Sequence, residues 1–214
     1  NQTALAIENA QLVTNAAIVR EMHHRVKNNL QTAAMLLRMQ ASNTTASTVP
    51  EVLHTSVNRI LSIAAVHEVL AQEGFRLVNV KEVCEQIARS VAQNMLRPDL
   101  QAQIVVEGEA IILPSRAATS LALVINELVQ NALEHAFVGR ASGLVRITLG
   151  HTAKDYVVEV SDNGVGFVTD APPNLGLEIV KTLVSDDLGG KLKFKSNKQG
   201  TQVLVRFKRL KDEL

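Results

Sequence analysis

The chain has 214 residues, with 22 Lys and Arg against 21 Asp and Glu, and the resulting net charge of +1 offers no global attraction to nucleic acid or to an anionic membrane. Aromatic residues make up only 3% and tryptophan is absent, which argues against a base-stacking surface or an aromatic ligand cage. The single cysteine, Cys84, excludes an internal disulfide framework and fits a reducing, cytoplasmic compartment.

The chain is long enough for one large domain or two small ones, each with a real core. It opens on Asn1, already in helical phase, so it reads as a fragment that continues an upstream partner. Leu5, Leu12, Val19, Val26 and Ala33 repeat every seven residues, and Asn9, Ala16, His23, Leu30 and Leu37 form a second line. Together they make a heptad seam on a helix from about residue 3 to 42. The polar stretch Ser42 to Thr48 and then Pro50 break it, and Pro50 suits the first turn of a new helix. Leu53, Val57, Ile60, Ala64, His67 and Ala71 continue a second seam that ends near Gly74. Two such helices form an antiparallel hairpin, and their wide apolar stripes are most economically buried in a dimeric four-helix bundle.

The texture changes near residues 74 to 78. The pattern predicts a helix over Val80–Met95, in which Cys84 lies on the apolar line of Val80, Val83, Ile87 and Val91 and should be a buried structural thiol. A strand over Gln103–Glu109 and a strongly apolar helix over Ser115–Phe137 follow. Strands are then expected at Leu144–Leu149 and Tyr156–Ser161, and a helix at Leu175–Asp187. Two alternating strands close the chain, one with Leu192 and Phe194 inward and Lys191, Lys193 and Lys195 outward, the other at Gln202–Phe207. This is an α/β layered domain with helices on one face of a mixed sheet. No apolar run approaches the roughly 20 residues of a membrane span, and no signal-peptide pattern is present. The terminal Lys211-Asp-Glu-Leu214 spells a reticulum retention signal, which means nothing without secretory entry and is best read as coincidence.

Two groups of residues carry chemistry. His23 and His24 are adjacent on the first helix, and neutral imidazole, with a pKa of roughly 6.5, is nucleophilic near neutrality. His23 lies on the seam, whereas His24 is turned about 100° from it and should stand at the bundle flank, open to a phosphoryl donor. Glu21 and Asn28 share its face and could orient the ring. His54 and His67 have only bundle or surface roles, and His151 reads as a surface loop residue. The second group lies in the α/β part. Asp162-Asn-Gly-Val-Gly-Phe167 follows a strand, Asn174-Leu-Gly-Leu177 opens a helix, and Gly200-Thr201 starts the last strand. A tight turn explains any one of them, but not all three in order. On the helix before them, Glu127, Asn131 and Glu134 fall at i, i+4 and i+7, with His135 bordering the stripe. A carboxylate and an amide oxygen one turn apart, facing a glycine-rich loop, suit Mg²⁺ shared with nucleotide phosphates; such a stripe taken alone reads more simply as a solvated face.

Glu127-Leu-Val-Gln-Asn131-Ala-Leu-Glu-His135-Ala resembles the N box of the GHKL ATPases, the superfamily of sensor histidine kinases, gyrase and Hsp90. Asp162 to Phe167 is similar to the G1 box, Leu175-Gly-Leu177 to the G2 box, and Gly200-Thr201 to the last glycine element. His24-Arg-Val-Lys-Asn-Asn-Leu-Gln31 resembles the phosphoacceptor box of the HisKA_2 class of histidine kinases, and Arg59 to Glu68 its second helix.

The resemblance implies residues 1–15 as a connecting helix from an upstream GAF or PAS sensor, 16–74 as the dimerisation and phosphotransfer hairpin, and 75–214 as a Bergerat-type α/β sandwich that binds ATP. By that resemblance His24 accepts the phosphoryl group, Asp162 recognises the adenine amino group, and Gly164 and Gly166 shape the adenine loop. Asn131 ligates Mg²⁺ with Glu127 as its companion, His135 borders the nucleotide, Gly176 and Leu177 belong to a lid, and Thr201 sits near the adenine pocket. The partners implied are a second copy of the chain and a response-regulator receiver domain, with neither nucleic acid nor membrane contact in this segment.

Two departures stand out. Arg25 occupies the place where more familiar histidine kinases carry an acid, a trait the HisKA_2 boxes share. Glu134 stands where many relatives have lysine near the phosphates, so modest ATP affinity is expected. The alternative reading is a non-catalytic dimeric nucleotide-binding scaffold, a pseudokinase, which Glu134 favours. A serine kinase or simple ATPase on the same fold is a third reading, against which the phosphoacceptor hairpin argues. The stretch from Phe167 to Leu175, with Pro172 and Pro173, should make a compact lid.

Overall fold

The computed structural model describes residues 77–95, 100–166 and 175–209. The chain divides into two compact units, Asn1–Ile60 and Leu61–Leu214, and every described residue belongs to the second. The expected helical hairpin, with His23, His24, Glu21, Asn28, His54 and His67, lies outside the described residues, as does the lid stretch Phe167–Asn174.

The described elements are β1 (Leu77–Asn79), α1 (Val80–Met95), β2 (Gln101–Gly108), β3 (Ile112–Pro114), α2 (Ser115–Asn131), β4 (Ser142–His151), β5 (Asp155–Asp162), α3 (Leu175–Thr182), β6 (Lys191–Asn197) and β7 (Gly200–Lys208). A wide i→i+5 turn extends α2 through Ala132–Ala136, and another extends α3 through Leu183–Asp187. Five strands form a mixed sheet in the order β2-β4-β5-β7-β6, and the short strands β1 and β3 pair as a separate antiparallel ribbon. β2 and β4 are parallel and the other pairs antiparallel. A parallel pair needs a long crossover, and the stretch holding β3 and α2 provides it.

Strand alternation selects the covered face. Ile147, Val160, Val203 and Phe194 stand in one cross-strand row, and Leu149, Val158, Val205 and Leu192 in the next. Six of these eight side chains are buried, the exceptions being the two on the edge strand β6. Their neighbours Arg146, Arg206, Lys191, Lys193 and Lys195 are exposed, so the helices cover one face, as the sequence predicts. Lysines along an edge strand also discourage pairing with another sheet.

α2 is the central helix, with Ala118 and every residue from Ser120 to Gln130 buried, including the polar Asn126, Glu127 and Gln130. A helix buried around its whole circumference must be covered on several sides, and α1 and α3 both pack against it. Among the described residues, no buried side-chain nitrogen or oxygen lacks a hydrogen-bond partner. Cys84 is fully buried on α1, and burial pushes its thiol pKa up to about 12.

The β1–β3 ribbon is not legible in the periodicity, because three-residue strands carry too few alternations. It buries Val78 and Leu113 while leaving Leu77 and Ile112 exposed. Asn79 then starts α1: its Oδ1 accepts from the Lys81 N–H at 3.1 Å and its Nδ2 donates to Glu82 at 2.7 Å. Two further differences concern ends. β2 begins two residues before the expected Gln103, and His151 is the last residue of β4 rather than a loop residue. His151 is held there by Glu109 at 2.9 Å and Arg209 at 3.4 Å.

Candidate functional site

Asp162 ends β5 on the same side of the strand as Val158 and Val160, so alternation aims its carboxylate into the helix-covered layer. Only its position at the strand end leaves it half-buried. The partial burial raises its pKa above the ordinary carboxylate value. Hydrogen bonds from the Gly164 N–H and from Thr201, together with the nearby Arg140 charge, oppose that rise. Asp162 Oδ1 accepts from Gly164 N–H at 2.8 Å and from Thr201 N–H at 3.3 Å. The Thr201 hydroxyl lies 3.1 Å from that of Ser196 across the β6–β7 pair. Ser196 is a site neighbour that sequence reasoning missed, since only strand register brings it there.

Three glycines around Asp162 sit where a side chain cannot. A Cβ on Gly164 would lie 2.3 Å from the Ala136 carbonyl oxygen, at the end of the wide turn after α2. Gly166 has φ +72°, and its Cβ would lie 2.0 Å from the Asn197 carbonyl oxygen. Gly200 has φ +134°, and its Cβ would meet the Asp162 carbonyl oxygen at 1.9 Å. The G1-like turn is therefore pressed between the end of the N-box-like helix and the β6–β7 turn. The Val165 N–H donates to Ala136 at 2.9 Å and closes the contact.

The second half of the site lies on α2. Glu127 is 7% exposed, and the Asn131 Nδ2 donates to the Glu127 carbonyl at 2.8 Å. Gly176, at the start of α3, is packed directly over them: its Cβ would lie 2.1 Å from Glu127 Oε1 and 3.1 Å from Asn131 Nδ2. Leu177 follows it at intermediate exposure. The structure thus brings Glu127, Asn131 and Gly176 together, and separately Asp162, Gly164, Gly166 and Thr201.

Glu134 lies beyond the end of α2, in the wide turn that begins at Ala132, and is exposed whereas Glu127 is buried. Glu134 and His135 form a surface pair at 3.8 Å, with side chains 50% and 63% exposed. A wide turn of this kind has no signal in apolar spacing.

Among the described residues, no group of three or more His, Cys, Asp or Glu side chains is placed to hold a metal ion. The buried Glu127 with Asn131 beside it fits Mg²⁺, which keeps waters and takes one or two protein oxygens beside substrate phosphates. With its Nδ2 engaged, Asn131 would contribute its amide oxygen. Among the described residues no helix is long and apolar enough to cross a membrane.

The sequence matches two family models, "Histidine kinase" (HisKA_2) over residues 21–95 and "Histidine kinase-, DNA gyrase B-, and HSP90-like ATPase" (HATPase_c) over residues 117–211. The sensor histidine kinase PdtaS of Mycobacterium tuberculosis is 42% identical over 201 residues, covering 91% of this chain and 40% of PdtaS. Blue-light-activated histidine kinase 2 of Erythrobacter litoralis is 27% identical over 195 residues, covering 86% of this chain and 55% of that protein. The chain thus spans about 40% of the length of PdtaS. A solved blue-light activated histidine kinase of Erythrobacter litoralis superposes with a TM-score of 0.71 at 22% identity, covering 86% of this chain and 58% of the other. Its separate histidine kinase domain gives 0.63 at 22% identity, covering 83% and 95%. At that identity the superpositions speak to the fold alone, which is the GHKL type.

Proposed function

The chain belongs to the histidine kinases of the HisKA_2 class, with a phosphoacceptor region followed by an ATP-binding domain of GHKL type, and from that premise we propose that it is the catalytic core of a dimeric sensor kinase. Residues 16–74 form the dimerising hairpin, 75–214 bind Mg·ATP, and 1–15 lead in from an upstream sensor. The core phosphorylates His24 and passes the group to an aspartate on a response regulator.

A His24 ring nitrogen attacks the γ-phosphorus in line. A nitrogen–phosphorus bond forms, the bond to the bridging oxygen breaks, and ADP leaves. The other ring nitrogen can then release its proton to water. The regulator carboxylate later attacks the same phosphorus, and His24 is restored. Positioning and charge neutralisation supply most of the acceleration in such transfers. Asp162 accepts from the adenine amino group, beside Thr201 and in the loop formed by Gly164 and Gly166. Asn131 offers its oxygen to Mg²⁺, with Glu127 as its companion on α2. Gly176 and Leu177 cover the phosphates, and His135 stands at the rim.

The observation that carries this reading is the half-buried Asp162 at the open end of β5, with two backbone N–H groups on one oxygen and glycines on each side. That is an acceptor fixed at a strand end by a turn whose glycines leave no room for side chains of their own. The scaffold reading draws on Glu134, a carboxylate where a phosphate-binding lysine would serve better. Incubation with γ-labelled ATP and Mg²⁺ separates the two. The kinase reading expects acid-labile, base-stable label that is lost in His24→Gln and kept in His23→Gln. Label that survives in His24→Gln and vanishes in His23→Gln overturns the choice of histidine. Tight nucleotide binding with no label in any variant favours the scaffold.

A further inference from the structure

Arg140 lies outside every motif that points to the nucleotide site, yet its side chain reaches the turn that carries Asp162. It ends the loop that leaves the wide turn after α2, where its N–H donates to the Phe137 carbonyl at 3.2 Å. Its guanidinium Nη1 donates to the main-chain carbonyl of Asn163, the residue between Asp162 and Gly164. Asn163 is otherwise committed to β4: its N–H donates to Leu144 at 3.2 Å and its Oδ1 accepts from the Leu144 N–H at 2.8 Å. Both main-chain groups of Asn163 and its side-chain oxygen are therefore engaged in holding the turn.

The same guanidinium is the charge that acts on Asp162. The partners of Asp162 from β4 (Val145), from β7 (Thr201) and from its own turn (Gly164) are uncharged. Burial favours the protonated carboxyl, and the hydrogen bonds from Gly164 and Thr201 work against it, with the Arg140 charge adding a smaller effect in the same direction. The distinction matters for recognition. An ionised carboxylate presents acceptors only, whereas a protonated one can set a donor against the donor of an amine.

We propose that Arg140 is a positioning residue for the nucleotide site: through the Asn163 carbonyl it braces the Asp162–Gly164 turn, and it sets a positive charge near the carboxylate that would accept an exocyclic amine. The proposal rests on the nucleotide reading of the site, and it adds a residue that no motif supplies. Arg140 touches the turn and not the ligand.

The test uses the 214-residue chain as wild type, Arg140→Lys and Arg140→Gln. A non-hydrolysable ATP analogue with Mg²⁺ is titrated across the acidic to neutral range, and the Asp162 carboxyl carbon is followed by NMR without nucleotide. Arg140→Gln should raise the pH at which both Asp162 protonation and loss of binding occur. On the acidic limb it should bind about threefold to fivefold more weakly than wild type, the scale of one unit charge acting through a solvated environment. Arg140→Lys keeps the charge and should restore most of both midpoints. A loss of affinity that is the same at every pH and equal in the two variants overturns the proposal, since a mere brace behaves that way. An unmoved Asp162 titration in Arg140→Gln overturns it equally. If the wild type fails to bind the analogue, the nucleotide reading falls, and the NMR titration still decides what Arg140 does to Asp162.

Discussion

Gly176 lies against Glu127 so closely that a Cβ on the glycine would stand 2.1 Å from the Glu127 Oε1. The start of α3 is thereby seated on the residue pair, Glu127 and Asn131, assigned to the metal–phosphate side of the site. Glu127 is 7% exposed, so its carboxylate has little room to yield.

Gly176→Ala should therefore weaken Mg·nucleotide binding about tenfold, by displacing Glu127 or lifting α3. Its cost in stability should be about 1–2 kcal/mol, the scale of modest overpacking. Calorimetric titration beside thermal denaturation checks this. Binding unchanged from wild type would show that the contact has no part in the site.

The glycines differ in a way that stability measurements can read. Gly200 combines φ +134° with a Cβ position 1.9 Å from the Asp162 carbonyl, whereas Gly150 has open space around its Cβ. Gly200→Ala should cost about 2–4 kcal/mol, because strain and a backbone clash add. Gly150→Ala should stay within about 0.5 kcal/mol, as substitutions away from such features do. Urea denaturation of the two variants gives the comparison.

Asp162 makes a prediction about pH. Its folded pKa is raised above the unfolded value, chiefly by burial. The folded state then holds the proton more tightly, so stability falls as pH rises from the unfolded pKa through the folded one. Above that window the full penalty for a buried charge is present. Asp162→Asn keeps an oxygen for the Gly164 and Thr201 N–H groups and removes the charge. The variant should melt higher than wild type at neutral pH, lose that advantage below the unfolded pKa, and lose nucleotide binding. Melting curves over the acidic range would show the trend, and a variant less stable at neutral pH would contradict it.

α3 is also tied to α2 at its far end. Asp187 accepts from the Ser120 hydroxyl at 2.8 Å and from Arg116 at 3.4 Å, close to the N-terminal turn of α2. That turn has no acidic residue and no side-chain cap of its own, and Asp187 sets a negative charge against the Arg116 side chain within it. Ser120 is 4% exposed and Arg116 is largely solvated, so the serine bond should dominate. Ser120→Ala and Asp187→Asn should each cost about 1–2 kcal/mol. Their double-mutant cycle should show coupling of about 0.5–2 kcal/mol, and additivity would dissolve the tether.

Within the described residues, the long periodic elements were legible in sequence. α1, the body of α2, β4, β5, β6 and β7 announce themselves because their apolar spacing matches the geometry each must bury. Asp162 was singled out in sequence for a different reason, as an acid at a strand end followed by two glycines; that it continues the inward row of Val158 and Val160 is read from the structure. The β1–β3 ribbon was not readable, because its antiparallel pairing joins residues 33 to 37 positions apart, Leu77–Asn79 with Ile112–Pro114, and involves too few side chains to set a period.

By itself the sequence determined the order of the glycine elements, the acid at the end of β5 and the polar pair Glu127 and Asn131, because all of these are local spacings. Only the tertiary structure decided that Gly176 closes on Glu127, that Glu134 and His135 lie exposed in a wide turn, and that Arg140 and Ser196 join the neighbourhood of Asp162. Those relations depend on strand register and on how the second helix and its loops fold back onto the sheet. Local periodicity carries no record of contacts made across such distances in the chain.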